Sequence, residues 1–378
     1  MLFTHLLTRP PGYGKNTRTL LTTEATPKIV IDFCDLPIFD ATTYPSVLLV
    51  EKHKPSGQEK TKAVTFTTEE QLAHIDETIE AVGFKMPVSA LRPEGWNLEQ
   101  PEILALMEKL RDTGKPLGEY VQGKLYYGIK TGLNEAFVID EETRKKLISD
   151  DPKSKELIKP WLRGRDIKKW KAEWAGLYVI FTRRGTDIDK YPAVKRHLEK
   201  FREDLEPKKS DKQTQGRKPG SYKWFEIQDN IAYYKEFERP KISWCHFATS
   251  PIFSYDSEKF FSNDKAYILP TDDLCLLAVL NSAVTAFIIS KLSPPVRGGF
   301  HEMRIIFIEQ LPIAAASAAQ KTAIIKLVET ILSAPDSPDV PRLEAEIDKL
   351  VYRLYGLTPE EIAIVEGSSS KLSRKRIN

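Results

Sequence analysis

Three polar side chains of different chemistry lie in one short stretch, and two of them stand between a pair of glycines. Lys130 and Thr131 stand between Gly128 and Gly132, and Asn134 follows. Glycine tolerates positive φ and lets a partner approach the backbone closely. Such a loop presents an ammonium, a hydroxyl, an amide and free backbone N–H groups, which suit a phosphate or the edge of a base. The same residue types are common in ordinary turns, so a plain turn is the alternative.

The segments on either side of this loop are expected to hold it in place. Both are short runs rich in apolar and aromatic residues, and they favour two strands, Lys124–Ile129 and Ala136–Ile139. The sequence therefore predicts a hairpin whose tip carries the three polar side chains.

A basic segment follows, in which charged and aromatic residues are interleaved. From Lys153 to Lys223 there are 21 Lys and Arg against 10 Asp and Glu, an excess of 11, although the net charge of the whole chain is only +3. A basic stretch within an otherwise acidic chain indicates a surface that faces a polyanion. Besides Lys130, Thr131 and Asn134, the candidate DNA-contacting residues are Arg163, Arg165, Lys168, Lys169, Arg183, Arg184, Arg217, Lys218, Tyr222, Trp224, Arg297 and Arg304.

These residue types match the chemistry of a nucleic acid. Arginine can fork onto a phosphate or a guanine, lysine acts as a point charge, and aromatic rings stack on extruded bases. The Arg163-Gly-Arg165 run is the sharpest part of the pattern, because the glycine lets two guanidinium groups reach one groove. The alternative is a solvated charged face above tryptophans that lie in the core. For the group as a whole, the pattern predicts a nucleic acid as the partner.

Signals of catalysis are absent from the sequence. Its six histidines never stand at metal-ligand spacing, and there is no Gly-x-Ser-x-Gly elbow. Glu236 and Glu238 with Lys241 are interpreted as a surface turn, and Asp272-Asp273 as a helix N-cap. A glycine loop after a strand, which would hold a methyl donor, is missing, as is an Asn-Pro-Pro-Tyr or Asp-Pro-Pro-Tyr site. The sequence therefore predicts no catalytic residue, metal site or cofactor site in this chain.

The cysteine content and the hydropathy of the sequence indicate in which cellular compartment the protein is expected. The three cysteines form no CxxC pair, which argues against a disulfide framework and fits a reducing cytosol. The N-terminus is too short and polar for a signal peptide. The apolar run Leu274–Ile289 falls about four residues short of a membrane span and is interpreted as a buried helix. We expect a cytoplasmic protein without a membrane partner.

The order of apolar patterns predicts an α+β fold. Residues 1–51 carry buried-type strands, Pro27–Phe33 and Ser46–Val50, without neighbouring strands upstream; residues 52–115 form a helical connector that includes Pro101–Gly114. Residues 116–312 form a mixed α/β unit with a helix from Asp272 to Lys291 and a last strand around Met303–Ile308. Residues 313–367 are helical, and 368–378 are a disordered basic tail.

Several runs resemble a known family. They are Tyr127–Asp140, Ile158–Ile167, Ile188–Pro192, Leu276–Ser282 and Arg297–Gly299. They are similar to the TaqI-like specificity domain, the target-recognition part of adenine-specific DNA methyltransferases in type II restriction–modification systems. Ile31–Pro45 resembles the final strands of the methyltransferase domain of that family, and Leu343–Thr358 resembles its C-terminal helices. The resemblance implies that residues 1–51 are a remnant of an α/β methyltransferase sheet and that 116–312 are the target-recognition domain.

The family carries its methyl-donor loop and its Asn-Pro-Pro-Tyr motif upstream of the matching stretch. No catalytic residue can therefore be assigned here by resemblance. The resemblance implies recognition of a target sequence in double-stranded DNA for a methyltransferase or endonuclease subunit, with S-adenosylmethionine bound by that partner chain.

Two alternatives stay open. The chain could be a truncated, catalytically inactive fragment or a protein-interaction module. Two N-terminal strands without partners would support this alternative, because they would expose apolar sheet edges. A weaker alternative is an intact enzyme with an unrecognised site.

Overall fold

A computed structural model describes residues 2–4, 14–34, 36–40, 44–93, 95–210, 213–293, 295–296 and 299–374. The chain divides into two compact units. The first unit comprises Met1–Gly114, Phe287–Glu302 and Leu357–Asn378, and the second unit comprises Lys115–Ala286 and Met303–Gly356. Helix makes up 42% and strand 21%, in several small mixed sheets, which confirms the predicted α+β class.

The first unit is built on a five-stranded sheet. Its strands are β1 (Leu2–Thr4), β2 (Thr26–Asp32), β3 (Pro45–Glu51), β4 (Lys60–Thr65) and β5 (Phe84–Pro87), in the order β1-β3-β2-β4-β5. Its first helices are α1 (Lys15–Thr23), α2 (Glu70–Ala73), α3 (Ile75–Val82) and α4 (Pro101–Thr113). β2 pairs with β4 in parallel and with β3 antiparallel. Both apolar strands therefore have neighbours within this chain, and the expectation that they lack partners is wrong.

Both faces of this sheet are covered. Val30 and Ala63 belong to one apolar cluster with Trp96, whereas the adjacent Ile31 and Val64 belong to a second cluster. Successive side chains of a strand point to opposite faces, so the alternation places one cluster on each side. This explains why β2 and β4 are apolar at consecutive positions.

The strands that follow are short. They are β6 (Gly114–Pro116), β7 (Tyr126–Tyr127), β8 (Val138–Ile139), β9 (Ile158–Leu162), β10 (Trp170–Lys171), β11 (Tyr178–Ile180), β12 (Lys241–Cys245), β13 (Phe247–Ala248), β14 (Phe253–Asp256), β15 (Phe261–Ser262), β16 (Ala266–Pro270), β17 (Pro295–Val296), β18 (Phe300–Glu302) and β19 (Pro312–Ala314). In the second unit they form two sheets, β10-β14-β12-β16-β7 and β15-β9-β11-β8.

Helices connect and follow these strands. They are α5 (Leu117–Tyr120), α6 (Asn134–Phe137), α7 (Glu141–Asp150), α8 (Pro192–Glu199), α9 (Arg202–Leu205), α10 (Leu274–Leu280), α11 (Ala283–Leu292), α12 (Ile305–Ile308), α13 (Ala318–Ser333), α14 (Val340–Leu354) and α15 (Pro359–Arg374). In the second unit, α10 is almost wholly buried and packs against α13.

The predicted hairpin at 124–139 is wrong. β7 pairs with β16, and β8 pairs with β11 in the other sheet. Between them, Asn134–Phe137 is a turn of helix rather than a strand. The glycine-bracketed loop therefore links two sheets.

Three further predictions also differ from the structure. The predicted helix 272–291 is broken into α10 and α11, which meet at 55°. The predicted strand at Met303–Ile308 is the short helix α12. The predicted disordered tail from Ser368 is helical through Arg374, where α15 ends.

Among the described residues, no single helix has both the length and the apolar character of a membrane span. Only α10 and α11 taken together reach those limits, across their bend.

Candidate nucleic-acid interface

Four chain segments of the second unit meet around the predicted loop. They are residues 128–131, 182–185, 226–229 and 262–265, and we call their meeting point the four-loop junction. Ile129 N–H donates to the Ser262 carbonyl (2.7 Å), and Gln228 N–H donates to the Thr131 carbonyl (3.0 Å). Ile227 N–H donates to the Thr182 carbonyl (2.8 Å). Because backbone bonds join all four segments, the junction is one connected surface rather than four independent loops.

Gly128 is required by the close approach at this junction. A Cβ at this position would lie 1.8 Å from the Asn263 carbonyl oxygen and 2.9 Å from the Ala266 carbonyl oxygen. Gly132 has a φ of +88°, a left-handed value that favours glycine. A Cβ at Gly132 would also lie 2.8 Å from Arg217 Cδ and 3.0 Å from Gln228 Cβ, so both glycines allow neighbouring segments to approach closely.

The three predicted loop residues take different positions. Lys130 is half-buried, and its N–H donates to Asp229 Oδ2 (3.2 Å). Thr131 is buried, and its hydroxyl donates to Asn134 Oδ1 (2.7 Å). Asn134 is exposed at the start of α6. Thr131 is therefore turned into the protein and stabilises the loop, whereas the Lys130 and Asn134 side chains reach solvent.

Arg217 is buried, which contradicts the expectation of an exposed phosphate contact. Its guanidinium donates to five backbone carbonyls, those of Thr131, Leu205, Lys223, Trp224 and Glu226, at 2.8–3.3 Å. Burial lowers its pKa to about 10. Since all its donors serve the backbone, Arg217 holds the junction together from inside.

Tyr222 and Trp224 also differ from the expected stacking platform. Tyr222 is 6% exposed, and its ring lies 4.4 Å from the Arg217 guanidinium carbon. Trp224 is half-buried against the core and lies under the Arg202 guanidinium carbon at 4.1 Å. Lys218 is exposed and accepts a hydrogen bond from the Tyr222 hydroxyl through its carbonyl. Of these, Lys218 alone presents its side chain to solvent.

The paired arginines 183 and 184 have separate roles. The Arg184 guanidinium donates to the carbonyls of Ile227 (2.5 Å) and Gln228 (2.7 Å), which fixes the 226–229 segment. Arg183 is exposed, with its guanidinium carbon 4.5 Å from the Tyr234 ring centre. Arg183 is the one that a nucleic acid can reach.

The Arg163–Lys169 loop lies beside the junction. β15 runs parallel to β9, and Asn263 N–H donates to the Leu162 carbonyl (3.1 Å), directly before Arg163. Arg163 binds the buried Asp166 through Nε–Oδ2 (2.9 Å) and Nη2–Oδ1 (2.8 Å), which raises its pKa. Arg165 is exposed and makes no ion pair with any residue that the structure describes. The two guanidinium groups are therefore not equivalent: Arg163 shapes the loop and Arg165 is available.

The end of this loop is anchored by a strained residue. Trp170 has a φ of +74°, which is rare for a bulky side chain, and it is 2% exposed. Its indole Nε1–H donates to Glu344 Oε1 (2.6 Å), and Lys169 Nζ lies 2.8 Å from the same oxygen. Lys168 is exposed, with Glu173 at 3.8 Å. Glu344 on α14 thus keeps Lys169 in place and leaves Lys168 in solvent.

Arg304 and Arg297 are the last two arginines that the sequence predicted as DNA contacts. Arg304 is half-buried at the start of α12, with its guanidinium carbon 5.5 Å from the Phe307 ring centre. Arg297 lies outside the described residues.

Two acidic residues of the junction were missed by the sequence reasoning. Glu226 is 3% exposed and accepts from the N–H groups of Lys223 (2.8 Å) and Gly185 (3.1 Å). Asp229 is half-buried beside Lys130, and burial raises its pKa. The only sequence signal was the polar run Glu226-Ile-Gln-Asp-Asn230 after the basic loop. Within the described part of the chain, no group of three or more His, Cys, Asp or Glu could hold a metal ion.

Three of the four segments of this junction lie within a stretch that matches a known domain family. Residues 159–313 match the family model of the TaqI-like C-terminal specificity domain, which confirms the resemblance for that segment. The part of the chain that carries Arg165, Arg183 and Asp229 therefore lies in the stretch that is similar to that domain, whereas Lys130 lies before it.

The curated relatives are type II methyltransferases. The chain is 25% identical to the type II methyltransferase M.PaeR7I of Pseudomonas aeruginosa, over 94% of this chain and 61% of that protein. It is 24% identical to the type II methyltransferase M.MjaIV of Methanocaldococcus jannaschii, over 60% of this chain and 77% of that protein. The chain thus spans about three fifths of the length of M.PaeR7I.

Among solved structures, the fold is similar to that of the type IIL restriction-modification enzyme MmeI, solved in complex with DNA. The TM-score is 0.59 at 14% identity, over 99% of this chain and 49% of that one. The similarity is one of fold, and it extends over about half of that structure.

Proposed function

We propose that the second unit recognises a DNA target sequence for an adenine-specific methyltransferase of a restriction–modification system. The observation that carries the proposal is the four-loop junction, where Lys130 and Arg183 reach solvent on a backbone that Arg184 and Arg217 fix from inside. Arg165 and Lys168 extend this basic surface along the adjacent loop. A rigid basic surface of this kind contacts phosphates and places base-reading groups in register.

The catalytic part is proposed to lie in another chain. The sequence contains no Asn-Pro-Pro-Tyr or Asp-Pro-Pro-Tyr site. Extrusion of the target adenine and methyl transfer from S-adenosylmethionine would occur in that partner, while this chain selects the sequence. The matches to two type II methyltransferases support the proposed class of partner.

DNA binding by the purified chain across a salt series tests the recognition part of the proposal. Affinity should fall linearly with the logarithm of salt concentration, because each phosphate contact releases counterions. Binding that is absent at low salt, or that does not depend on salt, would contradict it. The split is tested separately with labelled S-adenosylmethionine: the chain alone should transfer no methyl group, and a mixture with its catalytic partner should.

A second candidate function is that of a protein-interaction module. The first unit exposes large apolar side chains, with Leu20 and Leu49 each 56% exposed and Val50 37% exposed. Exposed apolar side chains of this size are typical of surfaces that bind another protein. Stable co-purification with a methyltransferase subunit without any DNA affinity would favour this function over the first.

A further inference from the structure

Asp229 occupies a fixed position at the four-loop junction. Its N–H donates to the Lys130 carbonyl (3.2 Å), and its Oδ2 accepts from the Lys130 N–H (3.2 Å). The two residues before it are held as well, because Arg184 binds the carbonyls of Ile227 and Gln228. Hydrogen bonds therefore fix the backbone at Asp229 and at the two residues before it, and with it the position of the carboxylate.

One oxygen of this carboxylate is free to accept. Oδ2 caps the Lys130 N–H, whereas Oδ1 has no hydrogen-bond partner among the residues that the structure describes. Burial is the largest effect on the Asp229 carboxyl and raises its pKa; Lys130 and Arg184 favour the charged form and Asp264 opposes it. Asp229 is half-buried and Oδ1 is not fully buried, so solvent reaches this oxygen and a hydrogen-bond donor of a bound base can replace that solvent.

The charge of Asp229 is opposite to that of the surface around it. The cationic side chains of Lys130, Arg183 and Arg165 attract phosphate groups, whereas the Asp229 carboxylate repels phosphate groups. In the major groove, carboxylates accept from exocyclic amino groups, most often cytosine N4. Resting on the proposed function, we propose that Asp229 reads one base of the target sequence, with Oδ1 accepting a hydrogen bond from the exocyclic amino group of a cytosine or an adenine. Lys130 and Arg183 then contact the flanking phosphates.

A purely structural role makes a different prediction. If Asp229 only capped the Lys130 N–H, its removal would loosen the loop and weaken binding to all sequences alike. If it reads a base, its removal abolishes the preference at one position and leaves the other positions unchanged. The two roles are therefore separated by the sequence preference, not by the affinity.

The experiment selects bound duplexes from a randomised library with the full chain and sequences them. The variants are Asp229→Ala and Asp229→Asn, and the matched control is Asp187→Ala, which removes an exposed carboxylate of the same unit. Wild type should enrich one motif. D229A should lose the preference at a single cytosine or adenine position by about tenfold or more, while D187A keeps the whole motif. If that position is a cytosine in the wild-type motif, D229N should shift it towards adenine, since an amide can both accept and donate.

Three outcomes contradict these ideas at different levels. A wild-type chain that enriches no motif overturns the proposed function and this inference with it. A wild-type motif that D229A retains at every position overturns the inference alone. A uniform loss of affinity in D229A with an unchanged motif assigns Asp229 to the structural role.

Discussion

Lys241 Nζ lies 2.5 Å from Asp256 Oδ2, and both side chains are 1% exposed. The two residues face each other on β12 and β14. Lys241 Nζ also donates to the Phe237 carbonyl (2.7 Å), and Asp256 accepts from the N–H groups of Glu258 (2.7 Å) and Phe260 (3.0 Å). Burial lowers the pKa of Lys241, and Asp256 opposes this shift. The pair is a desolvated ion pair in which the ammonium also donates to a backbone carbonyl and the carboxylate also accepts from two backbone N–H groups.

Replacement of one member should cost far more than replacement of a surface pair. Lys241→Met leaves the Asp256 carboxylate buried without its cation, which should lower the free energy of unfolding by about 3–5 kcal/mol. The matched control is Lys159→Met, whose partner Glu238 is partly exposed, and it should cost less than about 1 kcal/mol. Urea unfolding followed by tryptophan fluorescence measures both. Equal losses in the two variants would contradict the assignment.

Substitutions of Arg217 and Arg183 should differ in their effect on stability, because one side chain is buried and the other is exposed. Arg217→Lys removes the planar fork and leaves several buried carbonyls without donors, so it should lower the free energy of unfolding by more than about 2 kcal/mol. Arg183→Ala touches an exposed side chain and should leave stability within about 0.5 kcal/mol. Thermal unfolding without DNA measures the difference. An unfolding temperature of R217K that equals that of the wild type would refute the internal role of Arg217.

The Arg163-Gly-Arg165 run gives a matched pair for DNA binding. Arg165→Ala should reduce the slope of log affinity against log salt by about 1, because one phosphate contact is lost. Arg163→Ala should act mainly on stability, since it leaves the buried Asp166 without its guanidinium. Titrations of duplex DNA at several salt concentrations check the slope. A slope unchanged in R165A would remove that side chain from the interface.

The sequence predicted well those elements whose signals are local. The helix predicted at Pro101–Gly114 is α4, because proline suits its first turn and glycine follows its end. The apolar strands at 27–33 and 46–50 are β2 and β3. The short, β-branched apolar runs identify both strands, although only β2 is covered on both faces and the end of β3 is exposed.

The failures come from contacts between distant residues. β7 pairs with β16, about 140 residues later, so nothing near the loop could reveal that its two flanks enter different sheets. α10 ends where the Asn281 side chain binds both the N–H and the carbonyl of Phe253, at 3.0 and 2.8 Å. An apolar run alone also does not distinguish the helix α12 from a strand.

The sequence identified a group of basic residues but not which of them are buried. The basic residues do gather near one junction, yet composition could not tell the buried Arg217 from the exposed Arg183. Both are arginines beside aromatic residues. Which of them faces inward depends on the backbone carbonyls that the fold brings together, and these leave no mark in the sequence.

Replacement of glycine by alanine should have opposite effects on stability at Gly128 and at Gly367. Gly128→Ala should disrupt the junction, because its Cβ would meet the Asn263 carbonyl at 1.8 Å, a contact that only a backbone shift relieves. Gly367→Ala lies in α15 with no atom within 4 Å of the added Cβ and should stabilise that helix by about 0.5–1 kcal/mol. Chemical denaturation and DNA binding measure both. Normal DNA affinity in G128A would contradict the close approach.

His197 should make stability depend on pH below neutrality. It is half-buried on α8, with Nε2 3.1 Å from the Ala136 carbonyl, and burial lowers its pKa. The unfolded chain therefore takes up a proton more readily than the folded one, so the free energy of unfolding should fall as pH drops from about 7 to 5. His197→Gln keeps a donor for the carbonyl and should reduce this dependence. Unfolding curves at several pH values test it, and an identical pH profile for wild type and variant would contradict it.

The anchoring of Trp170 bears on how specificity could be exchanged between enzymes. A transplant of residues 159–313, the segment that matches the domain model, would carry the strained Trp170 and Lys169 without Glu344 on α14. The indole N–H would then be buried without its acceptor, and the loop with Arg165 would lose its tether. A transplant that keeps this anchor must therefore extend through α14, as the second unit does.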